Sequence, residues 1–388
     1  MVKIPMSQGR FVASALLTFA AAAPAGAFAA QAESSPSEHG PLRVSELASG
    51  LEHPWSLAIL PGDEGLLITE RPGHLRLLKP PGQPGEPIAG VPEVYASGQG
   101  GLLDVVLSPD FESDRLVYLA YSEAGSGNRA GTAVGRGKLR EDGSELDNFT
   151  VIFRQEPKLS SGTHFGARLV FDREGYLFIA LGDNNQRPTA QDLDKLQGKV
   201  VRLQADGSIP QDNPFVGRDG ARPEIWSYGH RNQQGAALHP ISGRLWTHEH
   251  GPRGGDEVNI PEAGKNYGWP LATHGVNYST LPIPEAKGES REGTEAPRYV
   301  WEVSPAISGM AFYSSQRFAP WQDSLFIGSL KERELIRLTL QDDKVVREER
   351  LLGERKERIR DVRQAADGSL YLLTDSAEGK LLKVEPPA

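Results

Sequence analysis

Short apolar runs recur along the chain in pairs, joined by a turn rich in Pro, Asp or Gly. The pairs read SLAILPGDEGLLIT from Ser56, LLDVVLSPDFESDRLVYLAY from Leu102 and ARLVFDREGYLFIALGD from Ala167. They continue as GAALHPISGRLWTHEHG from Gly235, GMAFYSSQRFAPWQDSLFIGSLK from Gly309 and DVRQAADGSLYLLTDSAEGKLLKV from Asp361. Runs of this length bounded by turn residues predict strands. Helical periodicity is rare, and only Ala190 to Gln204 hints at a helical turn or two. Six copies at a spacing of roughly 50 to 75 residues predict an all-β, six-bladed β-propeller with four-stranded antiparallel blades. A β-sandwich has no need of one hairpin repeated six times.

The first residues break this pattern. Lys3 and Arg10 precede the apolar run Phe11 to Ala23, and Ala27-Phe28-Ala29 follows. Positive, apolar and A-x-A segments in that order predict a secretory signal, residues 1–29, cut near Ala29. A retained anchor is the alternative, but the run falls short of the roughly 20 residues a membrane span needs. The expectation is therefore a periplasmic or secreted protein with no membrane insertion once the signal is removed. Residues 30–41 are polar and predict a mobile leader, which leaves 42–388 as a single propeller domain.

Composition narrows the chemistry. With no cysteine there are neither disulfides nor thiolate-bound metals. The formal charge is −9, and removing Lys3 and Arg10 with no acid in the signal leaves −11. A nucleic-acid partner would call for a basic face, so none is expected.

The polar residues flanking the hairpins form the candidate site. Trp55, Gln99, His164, Arg231 with Asn232, and Arg358 with Arg360 and Asp361 stand just before first strands. Glu70 with Arg71, Asp183, His248 to Gly251, Lys331 and Asp375 follow second strands. Both positions lie at one end of a hairpin, so the repeat gathers these residues around one mouth of the axial channel. Arg231, Lys331, Arg358 and Arg360, with Lys158 near them, make that ring basic in an acidic protein. Clustered cations repel unless an anion offsets them, and guanidinium favours carboxylates or phosphates. A multiply anionic small ligand is expected. His164, with Asp183 at the far end of the same hairpin, has the makings of a general base oriented by a carboxylate.

The stretch THEHGPRGGDEVNIP, Thr247 to Pro261, suggests a metal. His248 and His250 are expected to diverge at a strand end, which argues against a zinc cluster. Calcium and a plain polar turn stay open on the residues alone.

Several segments together resemble one family. GQGGLLDVVLSPDF, THFGARLVFDREGYLFIALGDNNQ, WSYGHRNQQG, EHGPRGGDEVN with NYGWP, SPAISGMAFY, GSLK, and RIRDV before ADGSLYLLTD run in family order from about residue 50 to the C-terminus. The chain resembles the soluble aldose sugar dehydrogenases that depend on pyrroloquinoline quinone (PQQ), relatives of soluble quinoprotein glucose dehydrogenase. The resemblance implies that His164 takes the proton of the anomeric hydroxyl while hydride passes to the quinone, and that Asp183 holds the imidazole. It implies Arg231 and Asn232 at the quinone C5 oxygen, Lys331, Arg358 and Arg360 on the cofactor carboxylates, and Gln99 as a further contact. It also implies a cofactor calcium (Ca2+) on the main-chain carbonyls of Gly251 and Pro252, and it matches Glu257 and Tyr267 to part of a second calcium site. The expected partners are aldose sugars, oxidised at C1 to lactones, and an external electron acceptor. His250 before Gly-Pro and short intervening loops favour the aldose sugar dehydrogenase branch.

Two other classes of function are open to a six-bladed propeller. A calcium-dependent lactonase would ring the axis with acids, where this chain places cations. A non-catalytic binding propeller has no reason to keep His164, Arg231 and the Arg358/Arg360 pair together.

Overall fold

The computed structural model describes residues 1–2, 32–62 and 64–387. The expected signal segment lies outside the described residues apart from its first two. Among the described residues no helix is long and apolar enough to cross a membrane.

The strands form six antiparallel sheets. The innermost strand of each is the first strand of a repeated hairpin: Pro54–Ile59, Leu102–Leu107, Gly166–Phe171, Gln233–Leu238, Ile307–Phe312 and Ile359–Gln364. Each touches the next and the last touches the first, so the ring is closed and the blades follow chain order. We number the blades one to six by these strands. Blades two to five are four-stranded. Blade one is a three-stranded sheet, Pro54–Ile59, Leu66–Glu70 and His74–Leu78.

Blade six joins the two ends of the chain. Its last strand, Gly379–Glu385, pairs with Leu42–Leu51. Outside that, Ala32–Ser35 adds a fifth strand in register with Leu42 to Ser45. Within the leader that polarity predicts, Ala32–Ser35 forms this edge strand. Its stability comes from backbone pairing with its neighbour and from Glu33 on Arg355, neither of which needs an apolar side chain. The helical hint after Ala190 fails. A short 3-10 turn spans Arg187–Gln191, and Lys199–Leu203 is the third strand of blade three.

Second strands such as Leu66–Glu70, Leu177–Leu181 and Ser324–Ser329 are buried at every position, because blades cover both faces. Each seam between neighbouring blades has its own apolar cluster. Leu67 meets Val117 between blades one and two, and Tyr118 meets Leu169 between two and three. Val200 with Ala236, Met310 with Val258, and Phe326 with Leu370 mark the next three seams. Leu57 with Leu381 closes the ring. The core is therefore a circle of six packed seams around a polar axis.

One irregularity is repeated in every blade. All six inner strands slip register against their neighbour near their first residues, at Pro54/Ser56, Leu102/Val105, Gly166/Arg168, Gln233/Gly235, Ile307/Met310 and Ile359/Asp361. A bulge inserts an unpaired residue and re-aims its side chain. Close packing at this end demands glycine: a Cβ on Gly235 would lie 2.1 Å from His248 Nε2.

Candidate active site

The bulges open onto a cavity of about 360 Å³ at one end of the axis, within the range of ~300–1,000 Å³ typical of small-molecule sites. The slipped residues Trp55, Leu103, Gln234 and Arg360 line it, as does Gly166, which flanks the slip in blade three. Five inner strands thus each contribute one wall residue. Of the residues expected from the sequence, Gln99, Asn232, Arg358 and Arg360 line the cavity, as do Arg71, His250 and Asp375.

His164 stands at its edge, just before Phe165 and Gly166, which line it. Its backbone N–H donates to the Gln99 side chain at 2.8 Å, and its φ of 54° lies in the left-handed region. His164 Nδ1 lies 2.7 Å from Asp183 Oδ1. Asp183 is fully buried, and its other oxygen accepts the Trp269 indole N–H at 2.8 Å. The Asn185 N–H also donates to Oδ1 at 2.7 Å. A carboxylate fixed this way keeps the imidazole proton on Nδ1 and leaves Nε2 as an acceptor.

On the far wall Arg358 and Arg360 converge on one carboxylate, Asp375 Oδ2, at 2.6 Å and 3.0 Å. Burial alone would raise the Asp375 carboxyl, but the charges and hydrogen bonds of Arg360 and Arg358 outweigh it and hold the group well below the usual carboxylate range. Two cations against one anion leave this wall positive. The Nε of Arg360 is buried and unpartnered.

Not every expected residue turns to the cavity. Lys331 is exposed at the rim, donating to Ser304 O at 3.0 Å and pairing with Glu332. Lys158 pairs with Glu123 instead, and Glu70 is held by His74 and Arg76. Arg231 points beside the cavity: its Nη1 donates to His250 O at 3.0 Å and Gly251 O at 2.7 Å, and its guanidinium lies 5.3 Å from the Trp269 ring centroid. Neither Gly251 nor Pro252 lines the axial cavity.

His248 and His250 do diverge, although residues two apart on a regular strand would share a face. The strand Leu245–Glu249 ends between them. His248 is buried against Gly235 with both ring nitrogens unpartnered, and burial pushes its imidazole well below its ordinary range. His250 leaves the strand to line the cavity, with Nε2 2.6 Å from Ile307 O. Burial lowers its pKa as well, which disfavours the charged ring. Among the described residues no three His, Asp or Glu side chains converge to hold a metal.

Glu257 and Tyr267 lie in a separate small cavity. Glu257 faces Glu249 across paired strands, and Asn259 Nδ2 donates to both, at 2.9 Å and 3.2 Å. Burial, reinforced by Glu249, pushes Glu257 up to about 8. The Tyr267 hydroxyl is already committed, accepting from Glu262 N at 3.0 Å and donating to Ile260 O at 2.5 Å.

Sequence reasoning did not single out Trp269, Gln234 or His53 as site residues. Trp269 follows Gly268 in NYGWP, and its chain lies far from Asp183 until the fold brings it back; no local signal announces it.

The chain as a whole has counterparts among known proteins. Residues 51–383 match the Glucose / Sorbosone dehydrogenase family model, and the chain belongs to that family. The aldose sugar dehydrogenase YliI of Escherichia coli (strain K12) is 59% identical over 345 residues, spanning 89% of this chain and 93% of the relative. A crystal structure of a glucose dehydrogenase superposes with a TM-score of 0.88 at 66% identity, covering 89% of this chain and 99% of that one. The PQQ-bound form of an aldose sugar dehydrogenase from Streptomyces coelicolor superposes with a TM-score of 0.72 at 30% identity, covering 88% and 96%.

Proposed function

We propose that this protein is a periplasmic quinoprotein that oxidises aldose sugars at C1 to lactones, with PQQ in the axial cavity and electrons passed on to an external acceptor. The observation that carries the reading is the opposition of two groups across one cavity: the His164–Asp183 pair at one edge and the Arg358/Arg360 wall at the other. The relatives' names supply the substrate class, and the PQQ-bound relative supplies the cofactor class.

The residues present fit the quinone. Its carboxylates need fixed cations, and Arg358 and Arg360 share only Asp375 between them, with Arg360 Nε unpartnered. Trp55, Leu103 and Phe165 give an apolar surface for fused rings. When bound, the quinone supplies the hydride acceptor that no side chain can provide. The protein's own part is acid–base and positional. His164 Nε2 takes the proton of the C1 hydroxyl, and Asp183 stabilises the imidazolium that results. Asn232, its Oδ1 fixed by Gln234 Nε2 at 3.1 Å, lines the wall next to Arg231 and orients the ligand.

Calcium fits less directly. The Gly251 carbonyl is held by Arg231 and the Pro252 carbonyl does not line the cavity, whereas Ca2+ takes about six to eight oxygens. An ion there has to displace the Arg231 guanidinium. The Glu249/Glu257 pair is the better cation site, because two facing carboxylates with only His230 beside Glu249 gain from a cation.

Titrating the purified protein with PQQ, with and without calcium, tests the cofactor. One quinone bound per chain supports the reading, and no saturable binding under either condition defeats it.

A further inference from the structure

We infer that Arg168 is a positioning residue for the cofactor, acting through the indole of Trp55. This deepens the quinone reading and rests on it. Arg168 lies on the inner strand of blade three, is 1% exposed, and does not line the cavity. Its guanidinium reaches every blade. Nε donates to Gln234 O of blade four at 2.7 Å, and Nη1 lies 3.2 Å from Asp104 of blade two and 3.0 Å from Asp361 of blade six. Nη2 approaches Arg360 O at 3.5 Å. In blade five Gly309 leaves room for it, since a Cβ there would fall 3.0 Å from Nη2 and 2.0 Å from Asp361 Oδ1. In blade one, the Trp55 ring centroid is 4.1 Å from Cζ.

The charge balance shows what this group does. Arg168 and Arg363 face Asp104 and Asp361, so the cluster carries no net charge. The guanidinium also provides a flat, rigid backing for an indole that is itself a cavity wall. Trp55 is the bulged residue of its strand and so lacks ladder pairing to hold it. Arg168 supplies the missing constraint, and it also holds the backbone of Gln234 and Arg360, two further wall residues. A stiff aromatic wall beside fixed cations suits a planar, fused-ring anion.

The test is a double-mutant cycle on purified apo-protein, titrated with PQQ and calcium and read as the quinone dissociation constant and, separately, the melting temperature. Arg168→Lys keeps the buried charge but loses the flat backing, and should weaken quinone binding about tenfold. Trp55→Leu should weaken it comparably. In the Trp55→Leu background Arg168→Lys should add less than about twofold, because the shared contact is already gone. Trp55→Phe, which keeps a face, should retain most of the affinity. A merely structural Arg168 would lower the melting temperature and leave the dissociation constant unchanged, or act equally in both backgrounds; either result overturns the inference. If Arg168→Lys does not fold, unchanged affinity in Trp55→Leu overturns it alone. Wild-type protein that binds no quinone would sink the cofactor reading instead, so the two failures are distinct.

Discussion

His164 Nδ1 sits 2.7 Å from the Asp183 carboxylate. That contact spans one hairpin, from two residues before the inner strand of blade three to two residues after its partner. It decides which imidazole nitrogen is available, and so decides the chemistry. His164→Ala should lower turnover by roughly a hundred- to ten-thousandfold. It should leave the quinone dissociation constant near the wild-type value. Stopped-flow reduction of the loaded enzyme by sugar, beside a binding titration, separates the two effects.

Trp269 should matter almost as visibly, although it touches neither ring nitrogen. Its indole N–H is one of the donors that fix Asp183. Trp269→Phe removes a hydrogen bond to a charged group, so turnover should fall about tenfold with little change in fold. Steady-state kinetics should show the loss in kcat rather than in KM for sugar.

Arg358 should affect binding and not chemistry. It is the more exposed cation of the pair on Asp375, and its loss removes charge-assisted bonds to an anionic ligand. Arg358→Ala should weaken quinone binding at least tenfold, on the order of one hydrogen bond to a charged group. Added salt should weaken the wild type more than the variant, because the lost interaction is the screened one. Binding isotherms at low and high salt check both statements.

Asp375 carries a pH signature. Its folded-state pKa lies below the ordinary carboxylate value, so the folded state binds fewer protons than the unfolded chain. Its stabilisation is therefore full above about pH 4, the ordinary carboxylate value, and lost as pH falls through the depressed value. Asp375→Asn should flatten the acid limb of stability while changing little near neutrality except a constant offset. Melting temperatures of both proteins from pH 7 downward give the comparison.

The blades were legible in the sequence because turn chemistry and apolar pairs repeat, and the inner hairpins lie where those repeats predict. The mouth of the ring was legible for the same reason: His164, Asp183, Arg358, Arg360 and Asp375 share one phase of the repeat. The bulges were not. A register slip changes which residue faces inward without changing residue type, so Gln234 and Leu103 looked like ordinary strand positions. The strand Ala32–Ser35 was hidden because it is almost wholly exposed and held by backbone bonds. The carbonyls of His250 and Gly251 capture the Arg231 guanidinium, which depends on a loop geometry that no residue pattern encodes.

The most direct test is reconstitution. Purified protein is mixed with PQQ, calcium, an aldose and an electron-accepting dye, and each component is omitted in turn. Dye reduction that requires both quinone and sugar, with the matching lactone as product, is the expected result. Reduction without quinone, or none with every component present and quinone bound, would contradict the assignment of this propeller as a quinoprotein sugar dehydrogenase.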